Sequence, residues 1–325
     1  MNHIFLIGAG FTRAVYGQEA LLTNEIMGRL SLGDFPDVQD LVIDGEQDIE
    51  QFITLLDLKC LRLREKSPSE ARRYSEIRET IVSRMVNLFD YKRLNVTGIE
   101  NHPLLAQFVR KLPNGTAILS LNYDCVLDQA LWLRGRWTPN VGYGFRVSSR
   151  EPGNDEQKDG IILLKLHGSC NFRNSTESDG ESMKKYERYF KPEITNDIFP
   201  GVCSEINPRC SDLDTGPHVL VMSYVKKYHN GIMRLWRQAI DALADANRLT
   251  IIGCSLRDED VFLRFPLYHF GMKEGVAKFQ IDIVDKEEED CRRIEEKVRG
   301  LVAWPEKQNI IHYEGLDHYI DSCAP

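Results

Sequence analysis

"HIFLIGAGFTRAV", residues 3 to 15, carries the reading of the fold. Five mostly apolar residues run straight into Gly8-Ala9-Gly10, and a helical pattern begins at once. That order is strand, tight glycine turn, helix start. Gly8 and Gly10 let the backbone turn sharply and approach a neighbour closely. The helix that follows offers free N–H groups and the positive end of its dipole to a phosphate. The same turn also forms without any ligand. Arg13 stands where a third glycine would complete GxGxxG, which disfavours an ordinary nicotinamide dehydrogenase.

Further strands are expected at 116–121, 161–166 ("IILLKL"), 218–222 ("HVLVM"), 248–253 ("RLTIIG"), 279–285 ("FQIDIVD") and 309–313 ("NIIHY"). Helical patterns separate several of them, at 102–112, 230–246 and 286–300. Apolar strands alternating with helices predict an α/β fold: a Rossmann-like, mainly parallel sheet with helices on both faces. Residues 47–64 and 69–90 carry apolar residues at helical spacing, with Ser67 and Ser69 as candidate caps. They read as a helical insertion at about 46–95, covering the domain's own core or offering a contact surface. Residues 173–217 are polar and punctuated by Pro and Gly, and read as a loop-rich lobe. The 325 residues are thus expected to form one domain with these two additions.

A net charge of −8 argues against an exposed cationic face for nucleic acid. No window of about 18 apolar residues predicts a membrane span, and the N-terminus does not read as a signal peptide. Eight scattered cysteines are read as free thiols in a reducing cytoplasm. Cys203 and Cys210 are two potential ligands, but without a CxxC pair no metal is expected.

Five polar clusters sit at predicted strand ends. The first is the glycine loop itself, Gly8 to Thr12. In "LNYD", Asn122 and Asp124 either cap the next helix or face a ligand at the carboxyl end of a strand. In "LLKLHGSCNF", His167 precedes Gly168, and a histidine there is either structural or a general base. Lys165 is left to pair with a carboxylate. In "IIGCSLRDEDV", Gly253 and Ser255 make a second turn suited to a phosphate or ribose oxygen. Asp258, Glu259 and Asp260 suit a helix start. Asp285 ends a late strand and can accept from ribose hydroxyls. All five would converge on one edge of the sheet.

Together, in this order, these motifs resemble the sirtuin-like superfamily in its bacterial anti-phage defence branch. "GAGFT" is similar to the family's GAG(I/F)S loop, "LNYD" to its (Q/T)N(I/Y)D, "KLHGS" to its strand ending in HG, and "GCSLRDED" to its G(T/Y)SL turn. The resemblance implies an NAD-binding domain. It places Asn122 and His167 at the nicotinamide ribose and gives Gly8, Ala9, Gly10, Phe11, Thr12, Gly253, Ser255 and Asp285 to NAD contacts. Asp124 is grouped with the catalytic pair, to orient, to stabilise charge or only to cap.

Three features of protein-deacylating members are missing: a GIPDFR-like segment, the four-cysteine zinc module and an FGE-type peptide clamp, in whose place stands "HVLVMSYVKKYHNG". The combination resembles members that hydrolyse NAD+ to nicotinamide and ADP-ribose as abortive-infection effectors. Such activity implies control by homo-oligomer assembly, a partner protein or another signal. The alternatives are a non-catalytic NAD, ADP-ribose or nucleotide sensor, and an NAD-dependent deacylase.

Overall fold

The computed structural model describes residues 3–42, 47–89, 102–145, 160–173, 193–194, 217–221, 223–224, 230–257, 260–272 and 278–322. The apolar run at the start is strand β1 (His3–Ile7), buried along its whole length. Helix α1 (Ala9–Tyr16) follows after Gly8 alone. The other strands of the main sheet are β2 (Ala117–Ser120), β3 (Ile162–Lys165), β7 (Arg248–Ile252), β8 (Phe279–Asp285) and β9 (Gln308–Glu314). They lie in the order β3-β2-β1-β7-β8-β9 and every neighbouring pair is parallel.

This is a Rossmann-like doubly wound α/β sheet. Its strand order reverses between β1 and β7, and open sheets of this kind take ligands outside the carboxyl ends of the strands at that reversal. The strands are largely apolar because both faces are covered, with polar exceptions such as Thr250 and Asp282; Leu6, Leu119, Leu163, Leu249 and Ile281 are wholly buried.

One expected strand belongs elsewhere. "HVLVM" was assigned to 218–222 of the series, but β6 is Pro217–Val219, and it pairs antiparallel with β4 (Gly168–Arg173). Together with β5 (Glu193–Ile194) these form a separate three-stranded sheet. An apolar run shows that a strand is buried but not which sheet buries it. The backbone decides here: Leu220 N–H donates to His167 O at 2.8 Å, where the chain leaves β3. Most of the expected lobe at 173–217 lies outside the described residues, as do Cys203 and Cys210.

Helices α2 (Ile49–Lys66) and α3 (Pro68–Asn87) occupy the expected insertion. Asp48 caps α2 by accepting from Gln51 N–H at 2.8 Å. Ser67 is the N-cap of α3 but makes no side-chain cap bond, and Pro68 fills the first helical position instead. The pair covers the core: Phe52, Ile53, Leu56, Ile81 and Met85 are wholly buried. Asp57 anchors them, accepting from Arg78 Nε at 2.5 Å and from Ser223 Oγ at 2.9 Å. Further helices of more than one turn among the described residues are α4 (Pro103–Lys111), α5 (Val126–Leu133), α6 (Asn230–Asp245), α7 (Val261–His269), α8 (Glu288–Leu301) and α9 (Leu316–Ser322). Among the described residues no helix is long and apolar enough to cross a membrane.

Candidate active site

The turns after β1 and β7 meet at the strand-order reversal. Gly8 N–H donates to Ile252 O at 3.0 Å, and Gly10 N–H donates to Gly253 O at 2.9 Å. A Cβ on Gly10 would stand 2.6 Å from Gly253 Cα. One on Gly253, whose φ is +55°, would stand 2.3 Å from the Gly10 carbonyl carbon. These glycines are therefore required by close backbone packing, whatever the loop binds. The N–H groups of Gly8 and Gly10 are spent inside the protein, so a phosphate at this turn would be held by other groups. The Phe11 ring is buried against Phe108, with centroids 5.1 Å apart, so its side chain serves the core.

The glycine loop is tied to the turn after β2. Asn122 Nδ2 donates to Gly8 O at 3.0 Å and to Thr12 Oγ1 at 3.3 Å. Thr12 Oγ1 donates in turn to Asp124 Oδ2 at 2.9 Å. The other Asp124 oxygen, Oδ1, accepts from Val126 N–H at 3.0 Å, at the start of α5. Asp124 thus caps the helix and closes the Asn122–Thr12 chain at once. Burial pushes its carboxyl above the usual range, against the Lys165 ammonium, the Val126 N–H and the Thr12 hydroxyl.

Lys165 has the expected carboxylate. Its Nζ lies 3.3 Å from Asp128 Oδ2, both side chains being 1% exposed, and it donates to Asp124 O. Burial alone would lower its pKa, but Asp128 and then Cys125 and Asp124 outweigh that and raise it. Tyr143 OH donates to Asp128 Oδ1 at 2.6 Å, and Asn171 Nδ2 to Tyr143 OH at 3.2 Å. This network fixes the floor of the Asn122 turn without reaching solvent. Among the buried thiols, Cys125 and Cys170 lie 3.6 Å apart beneath it.

His167 stands on the neighbouring strand end. Ser120 pairs with Lys165 across β2 and β3, so Asn122 and His167 are each two residues past matched positions. Adjacent strands run about 4.8 Å apart. The turns stay joined beyond the ladder, for Cys170 N–H donates to Tyr123 O at 2.8 Å. The His167 backbone is held from two sides, by Leu220 N–H on its own carbonyl and by Trp236 Nε1 on Leu166 O at 3.0 Å. Gly168, at φ +78°, makes the turn into β4.

Asp260 stands at the helix start that the sequence predicts, and the structure adds a contact that the sequence does not show. It is the N-cap residue of α7 but makes no side-chain cap bond, and the first turn of α7 holds no acidic residue. Its Oδ1 lies 3.1 Å from His167 Nε2, with the two side chains 10% and 8% exposed. The contact does not meet the geometry of a hydrogen bond, and among the described residues His167 Nε2 has no hydrogen-bond partner. Spacing offered no hint of this pairing, since 93 positions separate the two residues. Asp258 and Glu259 lie outside the described residues.

The remaining candidates occupy the same edge of the sheet. Ser255 is exposed just past Gly253. Asp285 follows Val284, which pairs with Ile252, so it stands level with Gly253. Its Oδ1 accepts from Lys286 N–H at 2.7 Å, and burial raises its pKa. A cavity of about 240 Å³ adjoins this edge, lined in part by Leu256, Arg257, Asp260 and Lys297. That is below the roughly 300–1,000 Å³ of typical ligand sites, and Gly8, Asn122, His167 and Asp285 do not line it. Among the described residues no cluster of three or more His, Cys, Asp or Glu side chains is placed to hold a metal ion.

Residues 116–266 match the SIR2-like domain. The match covers a little under half of the chain and spans Asn122, His167, Ser255 and Asp260. It supports the sirtuin-like resemblance of the motifs. No curated protein matches the chain. Among solved structures, Sir2 in complex with the inhibitor EX-527, 2'-O-acetyl-ADP-ribose and a deacetylated p53 peptide overlays at a TM-score of 0.38 and 11% identity, covering 98% of this chain and 91% of that one. A Sir2 complex with p53 peptide and NAD+ overlays at a TM-score of 0.39 and 10% identity, covering 98% and 90%. At these scores the overlays are loose.

Proposed function

We propose that the chain is an NAD+ glycohydrolase, cleaving NAD+ to nicotinamide and ADP-ribose. The observation that carries this reading is the pairing of Asn122 and His167 at matched positions past two adjacent parallel strands, beside the strand-order reversal. His167 Nε2 is buried and makes no hydrogen bond among the described residues, which supports a role in taking up a proton.

The reaction breaks the bond between ribose C1′ and the nicotinamide nitrogen, and the bonding pair leaves with nicotinamide. The ribose passes through an oxocarbenium-like transition state, as in other glycosidic cleavage. Water adds at C1′ and loses one proton. His167 takes that proton, or one from a ribose hydroxyl, and returns it to solvent. Asn122 fixes the ribose or the water, held by Gly8 O and Thr12 Oγ1. Asp124 holds Thr12 in place. Gly8, Ala9, Gly10, Phe11, Thr12, Gly253, Ser255 and Asp285 make the NAD+ contacts in this reading, Phe11 through its backbone. No metal takes part.

We extend the reading to an anti-phage abortive-infection effector acting in the cytoplasm, held inactive until assembly, a partner protein or another signal releases it. Unregulated NAD+ loss would kill the host, which is why the activity needs control. The test is to incubate purified protein with NAD+, alone and with the products of neighbouring genes, and to follow nicotinamide. Release of nicotinamide matched by ADP-ribose is the expected result. Binding of NAD+ by calorimetry with no release under any condition would replace this reading with a sensor, and product coupled to an acetyl-peptide would replace it with a deacylase.

A further inference from the structure

We infer that Asp260 is a positioning residue for His167, orienting the imidazole and balancing the charge the ring gains when it takes a proton. The inference rests on the glycohydrolase reading for its functional part and on geometry for the pair itself.

Three elements face the His167 ring. The Tyr123 ring comes from the turn after β2 and the Trp236 ring from α6, each with its centroid 6.3 Å away. Asp260 comes from the start of α7 at 3.1 Å. Tyr123 is tied up elsewhere, its OH donating to Leu220 O at 2.6 Å. Among these described groups, Asp260 is the carboxyl group set against the imidazole. At 3.1 Å the carboxylate is close enough to fix the orientation of the ring. Its approach outside hydrogen-bond geometry matters as much as its distance. A carboxylate in line with Nε2 would occupy the direction along which a reacting hydroxyl must come. Here Nε2 is buried and makes no hydrogen bond among the described residues, while the carboxylate stays near.

Tertiary structure also holds the pair in place. Asp260 sits between the Gly253 turn and α7, in a loop that includes Leu256 at φ +48°. Lys297 of α8 holds that loop, donating to Ser255 O and Leu256 O, each at 3.1 Å. Arg257 ties it to the start of α2, with Nη2 2.6 Å from Asp48 Oδ2. The loop leading to Asp260 is therefore held from two sides, by α8 and by the start of α2, which suits a positioning group.

The experiment is Asp260→Asn, which keeps shape and removes charge, with Asp260→Glu as the charge-retaining companion. In ¹⁵N-histidine NMR, the titration of the His167 ring signals should be displaced in Asp260→Asn relative to the wild type. Asp260→Glu should return toward the wild type. In NAD+ turnover, Asp260→Asn should lower kcat about tenfold or more with KM within about threefold, and displace the acid limb of the pH–rate profile. Added to His167→Ala, it should cost nothing further. An unchanged NMR titration in Asp260→Asn overturns the inference, as does a loss of turnover that Asp260→Glu fails to relieve at all. A displaced titration in a protein that never releases nicotinamide upholds the pair and removes the glycohydrolase reading instead.

Discussion

Thr12 Oγ1 donates to Asp124 Oδ2 across 2.9 Å, joining helix α1 to the turn after β2 although 112 positions separate the two residues. The same oxygen accepts from Asn122 Nδ2. One hydroxyl therefore holds both the amide and the carboxylate of the "LNYD" motif. Thr12→Val keeps the shape and removes the bridge. It should cost about 1–3 kcal/mol of stability, since Asn122 and Asp124 each lose a buried partner. Turnover of NAD+ should fall more than stability explains at a temperature where the variant is fully folded. Urea titration and a nicotinamide-release assay check the two halves separately.

His167→Ala and Asn122→Ala should each lower NAD+ cleavage about 10²–10⁴-fold, the usual cost of losing a general base or a group that fixes the reacting geometry. Their circular dichroism should match the wild type, because neither side chain is a large part of the apolar core. Turnover at the wild-type rate in either variant would remove that residue's assignment.

Gly253→Ala should be severe, at more than about 3 kcal/mol, because its φ of +55° and the Gly10 backbone both refuse a Cβ. Gly33→Ala is the control, with nothing within 4 Å of its added methyl, and should stay within about 0.5 kcal/mol. Thermal unfolding midpoints and soluble yield report both.

Lys165→Met should cost about 3–5 kcal/mol, because it leaves the Asp128 carboxylate buried without its cation. Replacing Asp128 at the same time should recover part of the loss, since the uncompensated charge goes with it. Chemical denaturation of the single and double variants measures the recovery.

His3 sets an acid limit at the opposite end of the sheet. Burial, and then the Arg248 charge, lower its pKa from 6.5 to about 3, while its Nε2 lies 2.7 Å from Thr250 Oγ1. The unfolded chain takes up this proton near pH 6.5 and the native one only near 3. Its stabilising contribution is therefore complete above pH 6.5 and drains away as the pH falls toward 3. Between pH 6.5 and 5 the loss should be about 2 kcal/mol. His3→Gln should flatten that part of the curve, measured as the urea midpoint against pH.

Much of this molecule can be read in its sequence because its strands are buried on both faces. Ile4 to Ile7, Ile118 to Ser120 and Leu249 to Ile252 are buried throughout, so each appears as a largely apolar run that a polar turn ends. Those polar ends named Asn122, His167 and Asp285 before any coordinate did. The helical insertion was legible for a related reason. Phe52, Ile53 and Leu56 recur at the spacing that puts one face of a helix against a core. Sequence alone, then, settled the class of fold and the edge of the sheet where polar groups gather, since both follow from local periodicity and from where burial stops. Only the tertiary structure decided that Gly10 and Gly253 are each other's reason for being glycine, that residues 217–219 belong to a second sheet, and that Asp260 faces His167. Each is a contact between segments distant along the chain, and no local pattern encodes which distant segment will arrive.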